Sequence, residues 1–579
     1  MGITSRVIWV GFLLATASLG SASGSAEPSL GKRIESFTLD NCYGKPVTLS
    51  DFESSSAIVI VFLGTECPLA KLYGPRLNEI QRQYADRGLQ VIGINSNKQD
   101  SLSEVVAYVH RHEITFPMLK DPANRVADAM NAQRTPEAFL LDRDYTVRYH
   151  GRIDDQYGVG YSKERAPEPE LSLAIEALLA GSPIATPTTE VVGCHIGRVK
   201  DVEPIGDVTF TKDIAPIFNA KCVNCHREGE IAPFVLSRYE DVLGWEDTIL
   251  EVIADNRMPP WYADPAHGSF ANDARLTDHQ RELITTWVDN GMPEGDVEDL
   301  PASPRFAVGW QMPQPDQIIK MNDKPFSVPA EGVVDYQHFV VDPGWTEDKY
   351  IVASEARPDQ QSVVHHILVY VIPPGDNRRD FQQVLAGYAP GTPPLDLHDG
   401  IAMEVKAGSK LMFEMHYTPN GSQVDDLSYI GIRFTEKSKV RKRLQGRAAL
   451  NHEFEIPAGA VNHTVTASYV SKANESLISM SPHMHLRGKS FRFDALFPDG
   501  REETLLNVPQ YDFNWQLKYI LEQPITLPKG TKVMCTAVFD NSLGNVTNPD
   551  PTVPVRWGDQ SFEEMMIGFM ETVPVEDEF

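Results

Sequence analysis

Two adjacent histidines and a third one farther along the chain form the first candidate metal site. His365 and His366 lie in a strand-like run, and His416 follows 50 residues later. Neighbouring residues on a strand point to opposite faces of a sheet. His365 and His366 can therefore bind one metal ion together only where the strand bends or carries a bulge.

A second group of candidate ligands combines imidazoles with a thioether. His483 and His485 are two residues apart, which places both on one face of a strand. Met565 follows much later, with Met566 and Met570 as competing thioethers. This ligand mixture selects copper over zinc, because sulfur stabilises Cu(I) while the nitrogens tolerate Cu(II). Three nitrogens in one site and two nitrogens plus sulfur in the other predict two coppers per chain with unequal redox tasks.

A Cys-x-x-Cys-His motif in the middle of the chain predicts covalently bound haem c. Cys222 and Cys225 would form the two thioether bonds, and His226 would bind the iron. Met258, in a loop stiffened by two prolines, is the candidate sixth ligand. The segment resembles cytochrome c domains over its whole length. The alternatives are a zinc site and a local disulfide.

A lone cysteine lies where an α/β sheet usually carries chemistry. Cys67 follows the buried strand predicted for residues 57–63, at a predicted helix N-terminus where the helix dipole lowers a thiol pKa. Thr135-Pro136 precedes a later strand, at the position where thioredoxin folds place a cis-proline. The segment resembles the redoxin branch of the thioredoxin-like proteins.

The redoxin resemblance has two departures. The second cysteine of a thioredoxin dithiol would be at position 70, which is Ala70, and the threonine of a peroxiredoxin would be at position 64, which is Gly64. These residues argue against oxidoreductase or peroxidase activity by Cys67 alone. Cys42 and Cys194 remain candidate partners for a disulfide, and a redox-silent docking domain is the alternative.

Apolar periodicity and proline-rich stretches predict that the chain folds into several domains joined by linkers. We predict a thioredoxin-like α/β domain with a mostly parallel sheet, an all-α cytochrome c-like domain, and two all-β, jelly-roll-like sandwich domains that bind copper. The predicted segments are a signal peptide (1–26), the redoxin domain (29–185), a linker (186–204), the cytochrome domain (205–296), a linker (297–325) and the two copper domains (326–445 and 446–579).

The last 250 residues resemble a known family of copper enzymes, the type II, ascorbate-dependent monooxygenases that include peptidylglycine α-hydroxylating and dopamine β-monooxygenases. The motifs occur in the family's order: His365-His366, His416-Tyr417, His483-x-His485-Leu486-x-Gly488 and Glu564-Met565. The resemblance implies an electron-storing copper at the first three histidines and an oxygen-binding, catalytic copper at His483, His485 and Met565.

This resemblance implies a monooxygenase that hydroxylates an aliphatic C–H bond of a small organic substrate with O₂. Electrons would come from an ascorbate-like donor or a redox protein, through the cytochrome domain. Ser481 replaces the arginine that anchors a peptide carboxylate in the peptide-amidating members. The structural disulfides of those members are also absent, because Cys535 is the only cysteine in this part of the sequence. Both departures argue against an amidated peptide product. A non-catalytic copper-handling or electron-transfer protein is the main alternative, and a thiol peroxidase is the weakest.

Composition limits the partners and the compartment. The chain has 579 residues, with 52 Lys and Arg against 80 Asp and Glu, and a formal net charge of −28. This charge argues against nucleic acid and anionic membrane surfaces as partners. The predicted signal peptide and the haem motif favour a bacterial periplasmic or secreted protein without a stable membrane anchor.

Overall fold

The computed structural model describes residues 29–163, 166–200, 203–304, 309–375, 383–389, 392–398 and 400–576. The predicted signal peptide, residues 1–26, lies outside this part of the chain. Within it, no helix combines the length and the apolar character that a membrane span requires.

The N-terminal segment is an α/β fold, as predicted, and its central sheet has five strands. Its strands are Thr38–Asp40 (β1), Pro46–Thr48 (β2), Ala57–Phe62 (β3), Leu89–Asn95 (β4), Met118–Lys120 (β5), Arg134–Thr135 (β6), Glu137–Leu141 (β7), Val147–Gly151 (β8), Tyr157–Gly158 (β9) and Tyr161–Ser162 (β10). Its helices are Pro68–Tyr84 (α1), Leu102–Arg111 (α2), Arg125–Met130 (α3) and Glu170–Leu179 (α4).

The five-stranded sheet is less parallel than the βαβ pattern predicts. Its strand order is β5-β4-β3-β7-β8; β3, β4 and β5 are parallel, whereas β7 runs antiparallel to β3. The chain therefore enters β7 from the opposite end of the sheet. All six residues of β3 are buried because helices cover both faces of the sheet.

Part of the predicted linker, residues 186–204, is ordered against this domain. Cys194–His195 (β11) pairs antiparallel with β6, and Cys194 lies opposite Thr135. Ile196 is buried in the apolar core beneath β3. This segment therefore forms an additional edge of the N-terminal fold.

The middle segment is helical, with a π-helical turn at Phe210–Ile214. Its α-helices are Ala215–Lys221 (α5), Tyr239–Val242 (α6), Glu246–Ala254 (α7) and Asp278–Asp289 (α8). Thr277 and Gln280 form a capping box at the start of α8. Trp261 and Phe270, however, pack into the core of the C-terminal sandwich. The helices alone do not identify a cytochrome c-like domain, which stays a prediction.

The next segment is a β-sandwich with one core between two sheets. Its strands are Gln317–Lys320 (β12), Phe326–Val328 (β13), Gln337–Val341 (β14), Lys349–Arg357 (β15), Val364–Ile372 (β16), Val384–Tyr388 (β17), Leu395–Asp396 (β18), Ile401–Val405 (β19), Lys410–Tyr417 (β20), Val424–Asp426 (β21), Tyr429–Thr435 (β22) and Lys442–Arg443 (β23). β12 falls in the predicted linker 297–325 but pairs with β22.

The last segment is a second sandwich of two four-stranded sheets, ordered β24-β33-β27-β30 and β26-β31-β28-β29. Its strands are Gln445–Leu450 (β24), Glu455–Ile456 (β25), His463–Val470 (β26), Glu475–His483 (β27), Gly488–Leu496 (β28), Glu502–Val508 (β29), Tyr519–Leu527 (β30), Lys532–Phe539 (β31), Val555–Arg556 (β32) and Ile567–Pro574 (β33). All-β character in this region is therefore confirmed.

A substitution at Gly568 tests how tightly the two sheets of this second sandwich pack. A Cβ at this position would lie 2.4 Å from Sγ of Cys535 and 2.9 Å from the ring of Phe493. We expect Gly568→Ala to lower the free energy of unfolding by about 1–3 kcal/mol through overpacking, measured by urea denaturation. Gly544→Ala is the control, because its Cβ would meet nothing closer than 3.5 Å. Equal stability of the two variants would contradict the expectation.

Candidate functional site

A β-bulge brings the first three histidines together. His366 lies opposite His416 and Val364 lies opposite Tyr417, so His365 is an extra residue in β16. The bulge turns the His365 side chain toward the side that His366 and His416 already face. The predicted bend or bulge is confirmed.

The three imidazoles converge with spacings that suit one metal ion. Nδ1 of His365 lies 3.2 Å from Nδ1 of His366 and 3.2 Å from Nδ1 of His416. Two nitrogens bound to one ion at about 2.0 Å, at the tetrahedral angle, are about 3.3 Å apart. All three possible ligand atoms lie within 4.8 Å of one another. The donor set therefore fits a transition metal such as copper.

Burial keeps these imidazoles in the form that binds a metal. Removal from water lowers the pKa of His365 to about 4, and it holds the pKa of His366 and of His416 well below the usual 6.5. The three rings are therefore neutral at neutral pH, as metal ligation requires. Nε2 of His366 is buried and has no hydrogen-bond partner among the described residues.

The second histidine pair differs from its prediction in one detail. His483 is the last residue of β27, and His485 lies just beyond it, so the two do not share a continuous strand. Their ring centroids are nevertheless 5.3 Å apart. Nδ1–H of His483 donates to Oε1 of Gln516 (2.7 Å), and Nδ1–H of His485 donates to the Glu563 carbonyl (3.2 Å). These bonds select the tautomer whose lone pair is on Nε2.

A buried carboxyl group holds the turn that carries His485. Glu564 accepts hydrogen bonds from the amides of His485 (2.8 Å) and Arg487 (2.6 Å). Burial outweighs these bonds and raises the pKa of Glu564 to about 8. Met565 is 2% exposed, and it is absent from the apolar core that contains Met566 and Met570. That placement favours Met565 as the thioether, which remains a prediction.

Two aromatic side chains that sequence reasoning missed lie between the histidine groups. The ring of Tyr336 is 4.8 Å from that of His416 and 5.8 Å from that of His485. The ring of Phe513 is 5.4 Å from His416 and 6.0 Å from His485. One layer of rings therefore separates the two groups. No periodicity or motif singles out Tyr336, and Phe513 is a lone aromatic residue in a polar loop.

A cavity of about 140 Å³ lies between the two sandwiches. His366 and His483 both line it, so it reaches both histidine groups. Its other lining residues are mainly apolar, with a few polar side chains that include Gln516 and Lys518. The cavity can hold a small, largely apolar molecule beside both groups.

The Cys-x-x-Cys-His segment forms a single helical turn after α5. The amide of His226 donates to the Cys222 carbonyl over 2.9 Å, and that of Cys225 donates to the same oxygen over 3.1 Å. Nδ1–H of His226 donates to the Phe234 carbonyl (3.0 Å), which leaves the lone pair on Nε2. These residues fit an axial histidine beside two thioether anchors. Met258 is half-buried in the loop after α7 and stays a prediction as the sixth ligand.

The haem-attachment motif lies against the first sandwich. A cavity of about 110 Å³ is lined by Cys225 and by Tyr388 of β17. Tyr388 also lines the cavity that reaches His366 and His483. One short stretch of the first sandwich therefore separates the motif from the histidine groups.

Cys194 is the cysteine that the structure places beside Cys67. Sγ of Cys67 donates to the carbonyl of Thr135 (2.9 Å), the residue opposite Cys194 in the β6–β11 pair. The thiol and amide of Cys194 also donate to the Cys67 sulfur. Burial raises the pKa of Cys67, but these hydrogen bonds outweigh it and lower the pKa. Cys42 instead lies after β1, where burial raises its pKa.

A carboxylate of α7 links three segments next to this thiol pair. Glu251 accepts hydrogen bonds from Arg134 (2.6 Å) and His195 (2.6 Å), and it also pairs with Arg257. Burial raises the pKa of Glu251, but the hydrogen bonds from Arg134 and His195 and the charge of Arg134 lower it to about 2. The N-terminal fold, the β11 segment and the helical segment therefore share one ionic network.

Replacing this carboxylate tests the ionic network. A carboxyl group whose pKa is lower in the folded chain than in the unfolded chain stabilises the fold at pH values above the unfolded pKa. This stabilisation is lost as the pH falls through the folded pKa. We expect Glu251→Gln to cost about 1–3 kcal/mol at pH 7. The cost should shrink as pH falls from the ordinary value of 4.5 toward 2.

Thermal unfolding at several pH values measures this difference. Glu282→Gln, an exposed position on α8, is the control and should show no pH-dependent difference. A cost for Glu251→Gln that stays constant between pH 7 and pH 3 would show that the carboxylate charge is unimportant.

Comparison with known proteins covers the N-terminal segment. Residues 30–150 match the AhpC/TSA family model. Thiol-disulfide oxidoreductase ResA of Bacillus cereus is 26% identical over 138 residues, which are 24% of this chain and 76% of that protein.

Many solved structures align with part of the chain. A hypothetical protein of Sinorhizobium meliloti 1021 is 35% identical, with 29% of this chain and 94% of that chain covered and a TM-score of 0.27. The thioredoxin domain of a thiol-disulfide oxidoreductase of Bacteroides vulgatus is 14% identical, with coverage of 26% and 97% and a TM-score of 0.21. By its sheet, its family match and its curated relatives, the segment 30–150 is a redoxin domain with a thioredoxin-like fold.

Proposed function

We propose that this chain is an exported copper- and haem-containing monooxygenase that hydroxylates an aliphatic C–H bond of a small organic substrate with O₂. Electrons reach the copper sites from an ascorbate-like donor or a redox protein by way of the cytochrome segment. The observation that carries this proposal is the pair of unequal histidine groups that one cavity joins. A protein that only stores copper needs no cavity between two different sites.

The two groups differ in the nitrogen that they present. His365, His366 and His416 converge through Nδ1, whereas the tautomers of His483 and His485 put the lone pair on Nε2. Copper bound by these residues and by Met565 supplies O₂ activation and one-electron transfer. A site of three nitrogens and a site of two nitrogens plus a thioether stabilise the two oxidation states of copper differently.

The protein's own groups orient the ligands and exclude water. Gln516 holds the His483 ring through Nδ1, and Glu564 fixes the turn that carries His485. The Tyr336 ring, which is 4% exposed, lies between the groups and shields them from bulk water on that side. Such outer contacts hold a metal site in one geometry.

The cavity lining suggests the class of substrate. Most of its residues are apolar, so it favours an aliphatic group beside His366 and His483. Lys518, which pairs with Glu571 at 2.6 Å, and Arg447 both line this cavity, and they are the candidate cations for a polar end of the substrate. Ser481 lines the same cavity, in agreement with the argument against a peptide carboxylate as anchor.

Haem held by Cys222, Cys225, His226 and Met258 supplies one-electron transfer. The position of Cys225 supports this role. Cys225 and Tyr388 line one cavity, and Tyr388 also lines the cavity that reaches His366 and His483. The similarity of residues 30–150 to thiol-disulfide oxidoreductases supports an oxidoreductase in general. The predicted signal peptide and the haem motif support export to the periplasm.

Cofactor content tests the copper part of the proposal. Purified, copper-reconstituted protein should hold two coppers and one covalent haem per chain, measured by elemental analysis and the haem spectrum. His365→Ala should lose one copper and the substrate-dependent O₂ uptake, because it removes one of three converging nitrogens.

His398→Gln is the control for this substitution, since this histidine is exposed and lies outside both groups. Protein without copper after reconstitution would contradict the proposal. Two coppers without substrate-dependent O₂ uptake would favour the copper-handling or electron-transfer alternative.

The haem motif is tested by a variant that leaves the copper ligands intact. We expect His226→Ala to lower O₂ uptake with a protein reductant at least tenfold, about 1.4 kcal/mol in the barrier, while copper content stays at two per chain. His279→Ala, an exposed histidine on α8, is the matched control. Unchanged uptake by His226→Ala would rule out the cytochrome segment as the electron route.

A further inference from the structure

We propose that Cys67 and Cys194 form a reversible disulfide, and that Cys194 is the sulfur that exchanges with external thiols. The two cysteines are 127 positions apart in the chain. Both nevertheless meet at Thr135, whose carbonyl accepts from Cys67 and whose strand pairs with Cys194. This inference does not depend on the copper or the haem chemistry.

The segment that carries Cys194 is fixed in place by its backbone. The Gly193 carbonyl accepts from Arg134 (2.7 Å), and the amide of Ile196 donates to the Gln133 carbonyl (2.9 Å). Gly193 has a φ of +147°, and a Cβ there would lie 2.0 Å from the Thr135 carbonyl oxygen. Glycine is therefore what allows the segment to approach Thr135 so closely.

The two residues differ in exposure. Cys67 is 1% exposed, whereas Cys194 is half-buried. In a thioredoxin dithiol, the second cysteine would be three residues after the first, and here that residue is Ala70. The β11 segment supplies the missing sulfur from outside the first 185 residues. Because Cys194 is the more exposed residue of the two, we expect an external thiol to attack Cys194.

The charge distribution supports the same direction of exchange. Hydrogen bonds from the Cys194 thiol and from the Cys194 and Ala70 amides lower the pKa of Cys67, and the bond to Cys67 raises the pKa of Cys194. The bond from the thiol is lost when Cys194 carries glutathione, but the two amides still face the leaving Cys67 sulfur. Cys67 is thus the sulfur that better carries a negative charge. A sulfur with the lower pKa is the better leaving group when a disulfide is attacked.

The exchange balances with a monothiol as reductant. A glutathione thiolate attacks the Cys194 sulfur, the Cys67–Cys194 bond breaks, and the electron pair leaves on the Cys67 sulfur. A second glutathione thiolate then attacks the glutathione sulfur of the mixed disulfide, which releases Cys194. In total, the disulfide gains two electrons and two protons, and two glutathione molecules become one oxidised glutathione.

Mass spectrometry of the full-length protein tests the pairing. After oxidation with glutathione disulfide, alkylation and digestion without reductant, we expect one cross-linked peptide pair that contains Cys67 and Cys194. Cys42 and Cys535 should be alkylated as free thiols, and Cys42→Ser should leave the cross-link unchanged. A Cys67–Cys42 pair, or alkylation of both Cys67 and Cys194, would overturn the proposal.

Single-cysteine variants test which sulfur exchanges. Cys67→Ser should retain glutathione on Cys194, and Cys194→Ser should take up glutathione on Cys67 at least about tenfold more slowly, because access limits exchange. The opposite order would overturn the assignment of Cys194. Unchanged circular dichroism of both variants shows that the comparison is made on folded protein.

A glycine variant keeps both thiols and moves the segment. Gly193→Ala should slow cross-link formation at least about tenfold, since the added Cβ displaces β11 and access and alignment set the exchange rate. Gly181→Ala is the matched control, because this glycine also has positive φ (+67°) but no atom within 4 Å of its Cβ position. Equal cross-linking rates in the two variants would overturn the role of β11 in presenting Cys194.

Discussion

The extra residue in β16 is the constraint on which the histidine arrangement depends. Strict alternation along a strand would direct His365 away from His366 and His416. The bulge interrupts that alternation, so the nitrogens of all three histidines lie on one side. The pairing of β16 with β20 continues beyond the bulge. Burial by the second sandwich then keeps the imidazoles neutral, and the Tyr336 and Phe513 rings connect this group to His485.

Local sequence patterns predicted the elements but not the long-range pairings. The apolar run of β3 and the strands of the two sandwiches depend on neighbouring residues, and both are present. The direction of β7 and the pairing of β12 with β22 depend on contacts between distant residues. The proline-rich stretch before β12 predicted a linker that extends to residue 325, whereas β12 is already part of the first sandwich.

The candidate sites show the same division. Residue type and spacing singled out the histidines and predicted that His365 and His366 could share a metal only at a bend or bulge, because adjacent side chains of a strand point to opposite faces. They could not choose between Cys42 and Cys194, because that choice is made by the register of β11 against β6. Residue type and spacing could not predict the role of Tyr336, because its position between the two histidine groups depends on how the two sandwiches pack.

The packing of Trp261 and Phe270 has a consequence for how such a chain can evolve. These side chains follow α7 in the sequence but fill the core of the last sandwich, and Phe270 also forms a β-bridge with Leu521. A protein that consisted of the two sandwiches alone would expose to water the apolar residues that Trp261 and Phe270 cover. Exchange of the middle segment without the last one would therefore expose apolar residues of the sandwich core to water.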